Sequence, residues 1–115
     1  MWRMLQQPAA EDYVLGTGTA NSVRRFVELT AENLGLAIEW KGAGAAEHGL
    51  DRKSGRTVVR IDPGLHRPAE VDVLFGNPAK ASRKLGWKPS TSLPQLVTMM
   101  AEADDRRVRE NRLLY

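Results

Sequence analysis

Glycine and proline divide this chain into pieces too short for anything but brief strands and modest helices, which sets the scale of the fold. Pro8, Gly16, Gly18, Gly35, Gly42, Gly44, Gly49, Gly55, Pro63, Pro68, Pro78, Gly86 and Pro89 are spread along 115 residues. Proline lacks an amide donor and glycine alone enters left-handed backbone freely, so these positions end helices or open turns. Between them the apolar residues switch between helical and strand-like spacing.

Met1 to Gln7 reads as the last turns of a helix stopped before Pro8, with Met1, Trp2 and Leu5 on one side. It is either an ordinary short helix or the end of an element from something longer. Tyr13 to Gly18 is a strand candidate. A helix is predicted from about Ser22 to Leu34, capped by Asn21 or Ser22 and stopped by Gly35. Val23, Phe26, Val27, Ala31 and Leu34 form its apolar stripe. Ala37 to Trp40 is a second strand, residues 41–56 a flexible loop with a turn at Ser54-Gly55, and Thr57 to Ile61 the clearest strand.

Further on, Val71 to Phe75 reads as extended. Asn77 and Pro78 open a helix that stops at Gly86, with Trp87 a core aromatic behind it. Ser92 and Gln95 complete a capping box for the last helix, whose buried stripe is Leu93, Leu96, Val97 and Met100. From Asp104 that helix continues solvated and frays before Leu113. The fold class is α/β: a small mixed domain of three or four short strands and about four helices, with residues 1–115 as one domain.

Composition narrows the function. A chain with 42% hydrophobic and 27% charged residues is of the soluble globular type. Having no cysteine, it has no disulfides or thiolate metal sites, and its two histidines, His48 and His66, lack metal-ligand spacing. No apolar run reaches membrane-spanning length and no signal-peptide pattern opens the chain, so it reads as cytoplasmic, with no membrane partner. The net charge of +3 is mild, and its basic residues are scattered among only seven aromatics (three Trp, two Tyr, two Phe). That disfavours nucleic acid as a partner and suits an anionic small molecule.

Gly16-Thr17-Gly18-Thr19-Ala20-Asn21 stands where a dinucleotide-binding turn would, but Asn21 occupies the third glycine position and Trp40 the place of an acidic ribose ligand. It reads as a tight turn and not a cofactor site. In Arg67-Pro68-Ala69-Glu70, Pro68 biases Arg67 away from helical backbone. Its guanidinium can then make a two-pronged contact with a phosphate, and Glu70 can accept from a sugar diol. The other reading is a surface ion pair contributing under about 1 kcal/mol. Arg24 and Arg25, in a first helical turn, oppose the helix dipole and suggest either a nearby anion or plain exposure. No catalytic set stands out: Tyr13 has Thr17, not lysine, four residues on, and Tyr115 is terminal.

The chain resembles the GDP-mannose 4,6-dehydratases, which are extended short-chain dehydrogenases/reductases. The resemblance runs through Met1-Trp2, Met4 to Gln7, Asp12-Tyr13-Val14, Thr17-Gly18, Ser22-Val23-Arg24, Phe26-Val27-Glu28, Ile38-Glu39-Trp40, Asp62-Pro63, Arg67 to Val71 and Lys84 to Pro89. It implies the C-terminal, substrate-binding domain of a two-domain enzyme whose N-terminal Rossmann domain, missing here, holds NADP and the catalytic residues. It also implies GDP-mannose or a related GDP-sugar as ligand, Arg67 on the diphosphate, Glu70 on the ribose, and a homo-oligomer. By that resemblance this chain alone is inactive and binds no NADP. The chain departs from the family in having Gly64, Leu65 and His66 where an arginine and two aromatics are usual, and Arg25 in place of an acidic residue. The alternatives are the substrate domain of another nucleotide-sugar reductase or epimerase, and a non-catalytic interaction module.

Overall fold

A computed structural model describes residues 1–65 and 73–110. Its helices are α1 (Trp2–Leu5), α2 (Val23–Asn33), α3 (Ala79–Leu85) and α4 (Leu93–Arg109). Its strands are β1 (Ile38–Lys41), β2 (His48–Asp51) and β3 (Thr57–Arg60), forming an antiparallel sheet in the order β1-β2-β3. The protein is thus a small mixed α/β fold. It divides into two compact units, one from Met1–Asn21 and Val71–Ser92, the other from Ser22–Glu70 and Leu93–Tyr115.

In the second unit α2 begins as its cap requires, with Ser22 Oγ accepting from the Arg25 amide at 3.1 Å. It ends before Gly35, which sits at φ +72°. Its buried residues are Leu29 and Ala31, whereas Val23 is 80% exposed and Leu34 47%. The stripe therefore runs a little further round the helix than the spacing suggested, because Leu29 faces inward. On α4 the inward residues are Val97 and Ala101, and Leu96 and Met100 stay largely exposed. Small Ala101 lets α4 approach α2, where Thr98 Oγ1 lies 2.8 Å from Asn33 Oδ1. The polar continuation of α4 reaches Arg109, as its composition suggested.

The sheet corrects the sequence reading most. Residues 41–56 are not one loop, because β2 runs through them and pairs with both neighbours. Gly49 is a buried strand residue: a Cβ there would stand 3.0 Å from Ile38 Cγ2 and 3.4 Å from both Trp40 Cζ3 and Val59 Cβ. The glycine is required by close packing and not by a turn. Asp51 ends β2 with only 4% exposure. Its carboxylate accepts from the amides of Ala37 (3.2 Å), Lys53 (3.4 Å) and Ser54 (3.0 Å), and from Ser54 Oγ at 2.7 Å. These bonds satisfy a buried charge and lock the β2–β3 turn onto the start of β1.

In the first unit α1 and α3 are joined by Arg3, whose Nη1 donates to the carbonyls of Leu85 (3.2 Å) and Gly86 (2.8 Å). A cation there neutralises the exposed carbonyls at the C-terminal end of α3. Gly86, at φ +59°, supplies the left-handed stop. Asn77 Oδ1 accepts from the Ala79 amide at 3.0 Å at the start of α3. The strand predicted at Tyr13–Gly18 does not form; Val14 and Leu15 are about half exposed. With no strand beside it among the described residues, this short apolar run has nothing to pair with. Val73, Leu74 and Phe75 are exposed and unpaired as strand, and Trp87 is only half-buried.

Candidate functional site

Arg67 and Glu70 lie outside the described residues. The chain that leads to them and away from them is described on each side. In the second unit β3 ends at Arg60, and a short turn at Pro63–Leu65 follows. Asp62 closes it: Oδ1 accepts from the Gly64 amide at 2.8 Å, and its carbonyl from the Leu65 amide at 3.0 Å. The strand thus delivers the backbone, through a turn held by one carboxylate, to a point two residues before Arg67. In the first unit Val73 to Phe75 lead to Gly76, whose missing side chain lets Val14 Cγ1 come within 3.4 Å of the Cβ position.

The charged groups around these elements are mostly in mutual pairs. In the first unit Glu11 meets Lys84 and, at 2.9 Å, Lys80, while Lys80 Nζ donates to the Asp12 carbonyl at 2.8 Å and stands 5.0 Å over the Tyr13 ring. The bond from Lys84 and then that from Lys80 hold the Glu11 carboxyl below its ordinary range, and Glu11 in turn raises Lys84. The Tyr13 hydroxyl is buried with no hydrogen-bond partner among the described residues.

In the second unit Arg24 pairs with Glu47 and stacks 4.5 Å over Trp40, whose Nε1 donates to Glu28 at 3.1 Å. Arg25 lies 3.6 Å from Glu28. The anions beside the two first-turn arginines are the protein's own glutamates, and both arginine side chains are also about half exposed. Glu47 raises Arg24 further, and Ser54 with the Ala37 amide pulls Asp51 down to about 2. Each of these shifts favours the charged form, the mark of structural pairing. An acid–base catalyst needs a value moved towards neutrality.

Two concave regions are described, one in each unit. The first, of about 490 Å³, is lined by α1, Leu15 and the segment Leu85, Gly86, Trp87 and Lys88. Arg3 lines it too, already committed to the α3 carbonyls. The second, about 290 Å³, is an apolar groove of α2 and α4 with Phe26, Leu34, Met100 and Val108 on its walls. Its acids Asp104 and Asp105 are paired with Arg107 and Arg109, each at 2.7 Å. Among the described residues no cluster of three or more His, Asp or Glu could hold a metal ion, and no helix is long and apolar enough to cross a membrane.

The turn at Gly16–Asn21 packs within the first unit. The Cβ position of Gly16 faces the Gly76 carbonyl oxygen at 3.5 Å, and that of Gly18 faces Pro78 Cδ at 3.5 Å. Both positions sit against neighbouring atoms of the first unit at ordinary contact distance. Thr17 Oγ1 accepts from the Thr19 amide at 3.3 Å, a local turn.

Comparison with known proteins gives this geometry a family. Residues 1–100 match the family model described as GDP-mannose 4,6 dehydratase. The chain is 46% identical over 112 residues to a GDP-mannose 4,6-dehydratase of Sinorhizobium fredii (strain HH103), covering 97% of this chain and 32% of that protein. It is 43% identical over 111 residues to a GDP-mannose 4,6 dehydratase of Drosophila melanogaster (96% and 28%). A Dictyostelium discoideum GDP-mannose 4,6 dehydratase is 44% identical over 104 residues (90% and 29%). The chain spans about a third of the length of the curated relatives it matches.

Proposed function

The chain belongs to the GDP-mannose 4,6-dehydratase family, and we propose that it is the C-terminal, GDP-sugar-binding domain of such an enzyme. In this reading Arg67 makes the two-pronged contact with the diphosphate and Glu70 accepts from the ribose hydroxyls. Their contribution is positioning: they hold the nucleotide so that the hexose meets chemistry supplied elsewhere. The family reaction oxidises mannose at C4, eliminates water across C5 and C6, and returns the hydride to C6, giving GDP-4-dehydro-6-deoxy-mannose. NADP and the catalytic side chains belong to the Rossmann domain that completes the enzyme, so the chain alone binds GDP-mannose without turning it over. A cytoplasmic, homo-oligomeric enzyme fits the same reading.

The observation that carries this reading is the Arg67-Pro68-Ala69-Glu70 motif inside the family-matched interval, reached from β3 through the turn that Asp62 holds. Thermal-shift titration of the 115-residue chain tests it, since a ligand that binds the folded state raises its apparent stability. GDP-mannose should raise the melting temperature more than UDP- or dTDP-sugars do. Equal shifts by all three would point to another nucleotide-sugar enzyme. No shift by any of them would leave an interaction module.

A further inference from the structure

The two faces of the sheet differ. Trp40, Gly49 and Val59 are direct cross-strand partners and form the more buried face, with Asp51 and Ile38 opposite each other beside them. On the more open face the register places Lys41 opposite His48 and His48 opposite Arg60. Directly opposed residues share a face, so three basic side chains form one row across all three strands. Lys41 and Arg60 thus flank the imidazole from the two outer strands. Lys41 Nζ lies 3.8 Å from Glu39 in a half-exposed pair, and Arg60 has no ion-pair partner among the described residues. His48 Nδ1 lies 3.0 Å from the Ala46 carbonyl, which leaves Nε2 as the nitrogen able to meet a ligand.

We propose that the row Lys41–His48–Arg60 is a binding site for a diphosphate group. The backbones of Lys41 and Arg60 stand two strand spacings apart, roughly 10 Å. Both side chains are long enough to reach inwards over His48, and two linked phosphates fill the space between an ammonium and a guanidinium better than one does. Arg60 supplies the planar fork, Lys41 a mobile point charge, and the imidazole a third polar contact in the middle. The site does not use Arg67 or Glu70, so it stands or falls independently of the function proposed above.

The test exploits the chain's two histidines. Pyrophosphate is titrated at constant ionic strength into the 115-residue chain labelled with 15N-histidine. The His48 ring signals should move saturably, whereas signals of His66, beside Arg67, report the other proposed site separately. Lys41→Ser and Arg60→Ser should each weaken the His48 response about tenfold, as expected for losing a charge-assisted contact. Arg60→Lys should keep most of it. Arg52→Ser, which removes an equal charge next to Asp51 at the other end of β2, should leave it unchanged. Circular dichroism of each variant establishes that it is folded. A GDP titration identifies the source: a His48 response to GDP assigns a nucleoside diphosphate, and a response to pyrophosphate alone assigns the free anion. Still His48 signals, or an equal loss from Arg52→Ser, would overturn the proposal.

Discussion

The two compact units hold themselves together by different means. The second buries Leu29, Ala31, Val97 and Ala101 between helices, seats Gly49 under Trp40, and encloses the Asp51 carboxylate in four hydrogen bonds. The first buries Ala81 and Leu85, and leaves Met1 92%, Trp2 73% and Leu5 81% exposed. Its long-range polar ties include the Arg3 bonds to the α3 carbonyls, the Lys80 bond to the Asp12 carbonyl and the Glu11 pairs with Lys80 and Lys84, all exposed except the part-buried Arg3–Leu85 bond. Charge screening acts mainly on exposed pairs and much less on buried contacts. The second unit should therefore be the more stable under ordinary conditions, and the first the more responsive to ionic strength.

The comparison is broken most sharply at the two buried leucines. Leu29→Ala should destabilise the second unit by about 3 kcal/mol, and Leu85→Ala the first by about 2, near the low end for this substitution because an open site collapses more easily. Chemical denaturation reads both, and equal losses would erase the distinction. Next in size is Gly49→Ala. Its new methyl would meet Ile38, Trp40 and Val59 at 3.0–3.4 Å, and overpacking of that kind costs about 1–2 kcal/mol. An unchanged midpoint would show that the sheet can yield there.

Acid should act on the second unit through Asp51. Its folded value of about 2 lies below the ordinary 3.8, so the carboxylate's stabilisation is full above about pH 4 and fades as pH falls towards 2. Asp51→Asn should flatten that part of a stability–pH curve; an unaltered slope would assign acid sensitivity elsewhere. The smallest effect belongs to Glu11→Gln, a slight loss confined to the first unit. It should vanish in molar salt if the exposed pairs with Lys80 and Lys84 are its whole cause.

How far the fold was legible depended on the range of the interaction concerned. The Ser22 cap, the Gly35 and Gly86 stops and the β-branched run of β3 are local devices, and each lies where its sequence signal put it. β2 escaped because its glycine serves contacts with residues nine to eleven positions away, and composition reads glycine as a turn. Asp51 escaped likewise, since its partner Ala37 precedes it by fourteen residues. The first-turn arginines looked misplaced until Glu47, from another element, stood beside Arg24. Leu96 and Met100 fit a helical stripe as well as Val97 does, and periodicity does not say which side of the helix meets α2. The Arg67–Glu70 motif is read from neighbouring residues and their functional groups alone, and it lies outside the described residues.

Isothermal titration of GDP-mannose into the wild-type chain and into Arg67→Ala and Glu70→Ala variants measures the proposed recognition directly. The account predicts saturable one-to-one binding by the wild type. Arg67→Ala should weaken it about tenfold or more, as expected for losing a charge-assisted phosphate contact, and Glu70→Ala less. Wild-type binding that survives both substitutions unchanged would contradict it.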